Sequence, residues 1–270
     1  LIRRVCVPES ILNWSRLARE YETGDEISGS ELAEIIASFC SLQVAINDGQ
    51  YAHAPAELVA WAISLDTQLL EWVANHHVQN LYSTVIISEA SPDIFTDHWH
   101  LYRNIHVASI WNHYRSIRIL VNQVIVSLLS HNTEDSEHPW VTSGLFSTSY
   151  SNQREASKRV VVQLSHDICS SVQFFLMHAQ ENSSIDWRSS YQPRSTAVGK
   201  LLLWPLHVAG QNDFVSDIMR MWIVGRLEKL AAVIGIRKAA ILGRMLKSKQ
   251  YTPKVWREMT LEAEESWSES

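Results

Sequence analysis

The chain has 270 residues, 46% hydrophobic and 19% charged, the proportions of a globular protein long enough to fold without a disulfide or metal staple. Its net charge of −6, from 23 Lys and Arg against 29 Asp and Glu, runs against a surface built to neutralise phosphates. Its 3 cysteines, Cys6, Cys40 and Cys169, are too few and too scattered for a disulfide framework or a zinc site, and they fit a reducing intracellular compartment. Only 9 glycines and 7 prolines occur, which favours long helices over a turn-rich β architecture. No apolar run approaches the roughly 18–20 residues that span a bilayer; the best, Ile117 to Leu129, is interrupted by Arg118, Asn122 and Gln123. The chain starts at Leu1 rather than Met, so its natural amino terminus is expected further upstream.

In chain order, residues 1–27 form a poorly defined amino-terminal segment. Residues 28–247 form one large helical body, and residues 248–270 an acidic tail helix opened by Thr252-Pro253. Ser28-Gly29-Ser30-Glu31 has capping-box spacing, and the stripe Leu32, Ile35, Ile36, Phe39, Cys40, Val44 follows it until Asp48-Gly49. Pro55 suits a first helical turn, and Leu58, Trp61, Ala62, Leu65, Leu69, Trp72 and Val73 recur at helical spacing after it. A long helix is expected from about Asp97 to Ser130, with Ile110, Tyr114, Ile117, Val121, Val124, Ile125 and Leu128 on one side. Asn112, Arg115, Ser116, Asn122 and Gln123 lie opposite. Apolar residues on the far face as well, Ile119 and Val126, mark this helix as central and buried.

Polar loops are expected near 131–153 and 180–196, separated by an amphipathic helix over Glu155 to Met177. Pro205 predicts a bend or a helix start within one turn of Trp204. Phe214 to Ile234 is a further helix ended by Gly235, and Ile236 to Leu246 a short last one. Thr84 to Ile87 is too short a run to support a sheet. The fold class is all-α, with amphipathic and central buried helices and no significant sheet.

The chemistry-bearing residues do not assemble into a site on paper. His76, His77, His98, His100, His106 and His113 include no pair at the helical spacing a zinc site needs. Ser165, His166, Asp167 and Cys169 are hydrolase residue types without a nucleophile elbow. Asp213, Ser216 and Arg220 have the spacing of a magnesium motif of helical terpene-type enzymes, but a cation stands where the carboxylate ligand belongs. No residue is assigned to catalysis, cofactor binding or metal binding, and the ligand-binding residues are unknown. The Trp and Met residues Trp111, Trp204, Met219, Met221 and Trp222 read as core, with the lining of an apolar ligand pocket as the alternative for some of them. Arg118 stands apart: it sits on the flank of the apolar sector, which predicts partial burial and a carboxylate or carbonyl partner. Arg226, Lys229, Arg237, Lys238, Arg244, Lys247 and Lys249 are candidates for a basic strip, or else complement helix carboxyl ends.

Five segments carry a family resemblance. They are Leu65-Asp66-x-x-Leu69-x-x-Trp72, Ile110-Trp-Asn-His-Tyr-Arg-Ser-Ile-Arg118, Ile168-Cys-Ser-Ser-Val172, Leu203-Trp-Pro-Leu-His-Val-Ala-Gly210 and Gly235-Ile-Arg-Lys-Ala239. In this order they resemble the carboxy-terminal regulatory region of fungal zinc-cluster (Zn2Cys6) transcription factors, over about Ser38 to Leu246. Where that family usually has Ser-Val-Pro after the cysteine, this chain reads Ser171-Val172-Gln173. The resemblance implies a non-enzymatic helical regulatory domain of a nuclear RNA polymerase II factor, effector-sensing in some members. It also implies zinc, and DNA contact, only through an upstream domain. Partners would be other parts of the same protein, the transcription machinery and, in an effector-sensing member, a small apolar molecule, with no membrane. A stand-alone all-α interaction scaffold without DNA binding is the alternative reading, and an all-α enzyme the third.

Overall fold

The computed structural model describes residues 7–21, 29–48, 55–75, 82–89, 91–134, 144–181 and 193–248. Among them are eight α-helices: α1 (Glu9–Ala18), α2 (Gly29–Asn47), α3 (Pro55–Asn75), α4 (Ile105–Glu134), α5 (Gly144–Glu181), α6 (Pro193–Gln211), α7 (Asp217–Ile234) and α8 (Arg237–Ser248). One two-stranded antiparallel sheet, β1 (Tyr82–Ile86) with β2 (His98–Tyr102), lies between α3 and α4. Tyr82 pairs with Tyr102 and Ile86 with His98. The fold is essentially all-α.

The starts and stops follow from local chemistry. Pro55 opens α3 as expected, its missing N–H falling where no helical acceptor exists. Asn104 caps α4 by accepting the Val107 N–H at 2.9 Å, and Ser216 caps α7 by accepting from Met219 at 3.2 Å. Gly235 ends α7 with φ at 75°, a left-handed conformation that costs glycine little, as the sequence implies. Ser28 and the tail helix beyond Thr252 lie outside the described residues.

Helix α4 is the axis of the core. It packs against α2, α3, α5, α6 and β2, and Ala108, Ile117, Ile119, Val121 and Ile125 are fully or almost fully buried. Helix α5 lies along it, and α6 covers both, with α7 and α8 closing the carboxyl end. The α6 contacts are close: a Cβ on Gly199 would meet Ile236 Cδ1 at 2.9 Å, and one on Gly210 would meet Leu246 Cδ1 at 2.8 Å. These glycines let α7 and α8 approach the α6 backbone.

Four expectations need correction. Residues 98–102 form a strand rather than the first turns of a helix, so α4 begins at Ile105, not Asp97. A sheet exists, short as it is, because the flat run 82–86 finds its partner in that strand and α5 covers β2. Helical residues run to Glu134 and resume at Gly144, so most of the expected 131–153 loop is helix. Helix α6 also passes through Pro205, so of the bend or helix start expected there the start does not occur. An interior proline costs about 3 kcal/mol in lost hydrogen bonding and ring clash, and burial of Leu202, Leu203, Leu206, Val208 and Ala209 around it offsets that cost.

The stretches Gly29–Asn47 and Ser149–His178 are, contrary to the sequence reading, long and apolar enough to cross a membrane by length and composition. Here their apolar residues, such as Phe39 and Leu42 on α2 and Ile168 and Phe175 on α5, pack into the core. A helix surrounded by other helices acquires the same composition.

Candidate functional site

The polar side of α4 is where the structure departs furthest from an ordinary helical core. Asn112, Arg115, Ser116 and Asn122 lie opposite the apolar stripe, yet each is at most 1% exposed. Helix α5 meets Asn112, β2 meets Arg115, and α3 meets Asn122. Strand β2 supplies the matching surface: His100 and Tyr102 are buried while Leu101 between them is exposed. The strand thus turns its polar alternate residues inward.

Arg115 sits at the centre. Its Nη1 donates to the Tyr102 hydroxyl at 2.5 Å and to Asn112 Oδ1 at 3.1 Å, and its Nη2 lies 3.3 Å from His100 Nδ1. The Tyr102 hydroxyl is also 3.3 Å from His100 Nδ1, which closes a hydrogen-bonded triangle. Asn112 Nδ2 in turn donates to Ser171 Oγ on α5 at 2.9 Å. The rings of Tyr82, Tyr102 and Trp111 surround the guanidinium, with centroids 5.4, 5.7 and 5.6 Å from its carbon. Among the described residues no carboxylate forms an ion pair with it. A buried cation held only by neutral acceptors and aromatic faces is costly, so it marks a functional candidate.

The electrostatics follow from that cation. Burial, the Arg115 charge and His98 push the His100 pKa down to about 3, so its ring is neutral and Nδ1 is free to accept. Burial pushes the Tyr102 phenol up to about 12 despite the guanidinium beside it. Burial works against the Arg115 charge, but Tyr102 and Asp167 outweigh it and raise its pKa. Both titratable neighbours are thereby driven away from neutrality, the range where a general acid or base works best. At the rim, His98 Nδ1 pairs with Asp97 at 2.9 Å and its Nε2 lies 3.5 Å from Ser170 Oγ.

One turn further along α4, Arg118 binds α3. Its Nε donates to Asp66 Oδ1 at 2.8 Å, its Nη2 to Oδ2 at 3.3 Å and its Nη1 to the Tyr114 hydroxyl at 3.1 Å. Asn122 Nδ2 donates to the same Asp66 Oδ1 at 2.7 Å. The two charged side chains are 13% and 17% exposed, which makes this a nearly buried, two-pronged pair. The predicted burial and carboxylate partner of Arg118 are both present.

No family model, characterised protein or solved structure gives a significant match to the chain.

The remaining sequence candidates find structural places. His106 and His113 are exposed on α4, and His76 and His77 lie outside the described residues. Among the described residues no three His, Cys, Asp or Glu side chains group around a common point. Ser165 donates to the Val161 carbonyl, and burial, with Asp167 adding to it, pushes the Cys169 thiol well up. Ser216 is the cap of α7, Arg220 is buried and donates to the Asn212 carbonyl at 2.8 Å, and Asp213 is exposed. Met221 is 53% exposed and is not the core residue expected; Trp111 and Met219 are buried, and Trp204 and Trp222 are partly buried against the core, Trp222 donating to the Pro92 carbonyl. Of the candidate basic strip, Arg226 and Lys229 bind Asp93 and Lys247 binds Glu228 at 2.6 Å, Arg244 is exposed, and Lys249 lies outside the described residues. Arg237 and Lys238 stand in the first turn of α8, where they oppose the helix dipole rather than complement it.

Arg115, Tyr102 and Tyr82 are the site residues that sequence reasoning does not single out, and His100, weighed there only as a zinc ligand, joins them. Arg115 fell on the helical face assumed to be polar, and the other three belong to a hairpin that was not expected.

Proposed function

We propose that this chain is the helical regulatory domain of a fungal zinc-cluster transcription factor, acting in the nucleus on RNA polymerase II genes through DNA contacts made elsewhere in the protein. One observation carries the reading. The segments that resemble the family lie far apart in sequence, yet their polar side chains pair with one another: Arg118 with Asp66, and Asn112 with Ser171. A resemblance made only of common core residues gives no reason for such matched partners. The charge on Arg115 deepens the reading. A regulatory centre needs an element whose position is fixed by several others, and α4 is tied here to the hairpin, α3 and α5 at once. The neutral His100 and the unreactive Tyr102 support a structural or sensing role over catalysis.

The test is a reporter assay in a fungal cell with the chain fused to an unrelated DNA-binding domain. The reading expects reporter output to rise or fall several-fold against the DNA-binding domain alone. Equal output, with the fusion present in the nucleus at equal abundance, contradicts it.

A further inference from the structure

Helix α7 turns a stripe of residues outward that nothing among the described residues covers. Ile218 and Met221 are 77% and 53% exposed, and Ala232 is exposed further along the same face. Gly225 sits at the centre of the stripe. A Cβ there would meet nothing within 4 Å, and its φ is not left-handed, so neither internal packing nor backbone conformation asks for glycine. In a helix interior glycine weakens the helix relative to alanine. A glycine kept at such a position fits a second backbone approaching it from outside.

We propose that α7 pairs with α7 of a second copy of this chain, antiparallel, crossing at Gly225. The stripe is arranged for its own reverse. Seven residues before Gly225 stands the large Ile218, and seven after it the small Ala232, so an antiparallel partner sets large on small at both ends. A parallel partner sets Ile218 on Ile218 and leaves the alanines facing a gap. The charges agree with the same orientation. Asp213 lies twelve residues before Gly225 and Arg237 twelve after, with Lys238 beside it. All three are exposed and have no ion-pair partner among the described residues. The antiparallel pair brings each Asp213 toward the partner's cationic end and aligns the helix dipoles favourably. It also explains why Arg237 and Lys238 occupy a helix amino terminus that disfavours them. A contact made by one helix per chain is at the small end of stable interfaces, so the dimer is expected in the micromolar range.

Sedimentation equilibrium of the full chain tests this. The weight-average mass is expected to rise from 30.8 kDa toward twice that value with concentration. Gly225→Gln is expected to weaken association by about tenfold or more while leaving the melting temperature unchanged or higher, since glutamine is the better helix former. Asp213→Lys and Arg237→Asp should each weaken the dimer, and the double variant should restore it. A chain that stays monomeric at about 100 μM overturns the proposal, whether the stripe is bare or covered by some other segment or partner. A dimer indifferent to Gly225→Gln, or one whose charge swaps do not compensate, overturns it equally.

Discussion

Arg118 on α4 grips Asp66, 52 residues earlier on α3, with both prongs of its guanidinium, and Asn122 from the next turn of α4 donates to the same carboxylate. Three residues before Arg118, Arg115 forms no ion pair with a carboxylate among the described residues and is hydrogen-bonded by neutral groups on β2 and on α4 itself. The two arginines differ in what each leaves behind when removed, and that difference can be measured.

Removing Arg118 strands a nearly buried carboxylate. Arg118→Met is expected to destabilise the chain by about 3 kcal/mol or more, and Asp66→Leu by a similar amount. The double variant should cost much less than the sum, with a coupling of about 1–3 kcal/mol in urea-melt double-mutant cycles. Additive costs would mean that the pair contributes nothing as a pair.

Removing Arg115 strands only neutral hydrogen-bond partners, and Tyr102 keeps His100 as a partner. Arg115→Met relieves the burial of a cation while giving up its hydrogen bonds, so the net change is expected to stay below about 1.5 kcal/mol. Urea unfolding checks this against Arg118→Met in the same buffer. A loss as large as that of Arg118→Met would show that a compensating charge lies close to Arg115.

Acid should destabilise the protein through its buried histidines. Burial, first of all, holds His100 at about 3 and His207 at about 4, both below an unfolded value near 6.5. The folded form therefore refuses protons that the unfolded form accepts. Stability is complete above about pH 6.5 and falls as pH drops below it, by up to about 1.4 kcal/mol per pH unit for each histidine. Urea melts between pH 7 and 5 should show an uptake approaching two protons on unfolding, and about one fewer in His100→Gln. A flat profile over that window would contradict the burial of both rings.

Cys169 should be chemically silent. Its thiol is buried and its pKa pushed well above the ordinary value by that burial, so very little thiolate forms at neutral pH. Peptide mapping after alkylation of the native chain should find Cys169 unmodified, and rapid labelling there would mean that α5 opens locally.

How far these features could be read from residue order depends on what covers each helix. The ends of α3 and α7 were legible because Pro55 and Gly235 act through their own backbones, whatever surrounds them. The partner of Arg118 was legible in kind because a cation beside an apolar stripe must find an acceptor. Arg115 was not, since a helical wheel separates apolar from polar residues but cannot say that α5 and β2 will lie on the polar side. The hairpin escaped for a related reason. In β2 the inward residues are His100 and Tyr102 and the outward one is Leu101, the reverse of the usual alternation. Pro205 shows the opposite limit: the helix continues through it, so of the bend or new start that the local rule allows, the new start does not occur.

Zinc and DNA give a further check. With a net charge of −6, and with Arg226, Lys229 and Lys247 already engaged by carboxylates, the isolated chain is expected to bind DNA more weakly than the roughly 10⁻⁴–10⁻⁶ M of ordinary non-specific binders. It is also expected to hold no stoichiometric zinc. A salt-dependent DNA titration with a parallel metal assay reads both, and micromolar affinity with a steep salt slope would place DNA contact in this chain.

In the proposed function the buried centre around Arg115 is a regulatory element rather than a packing accident. The most direct measurement is reporter output from the chain fused to an unrelated DNA-binding domain, comparing the native sequence with Arg115→Met at equal nuclear abundance. Because that variant is expected to remain folded, the account predicts a change in output of about fivefold or more, in line with typical coupling energies. An Arg115→Met fusion that matches the native fusion in output, while melting at the same temperature, would contradict it.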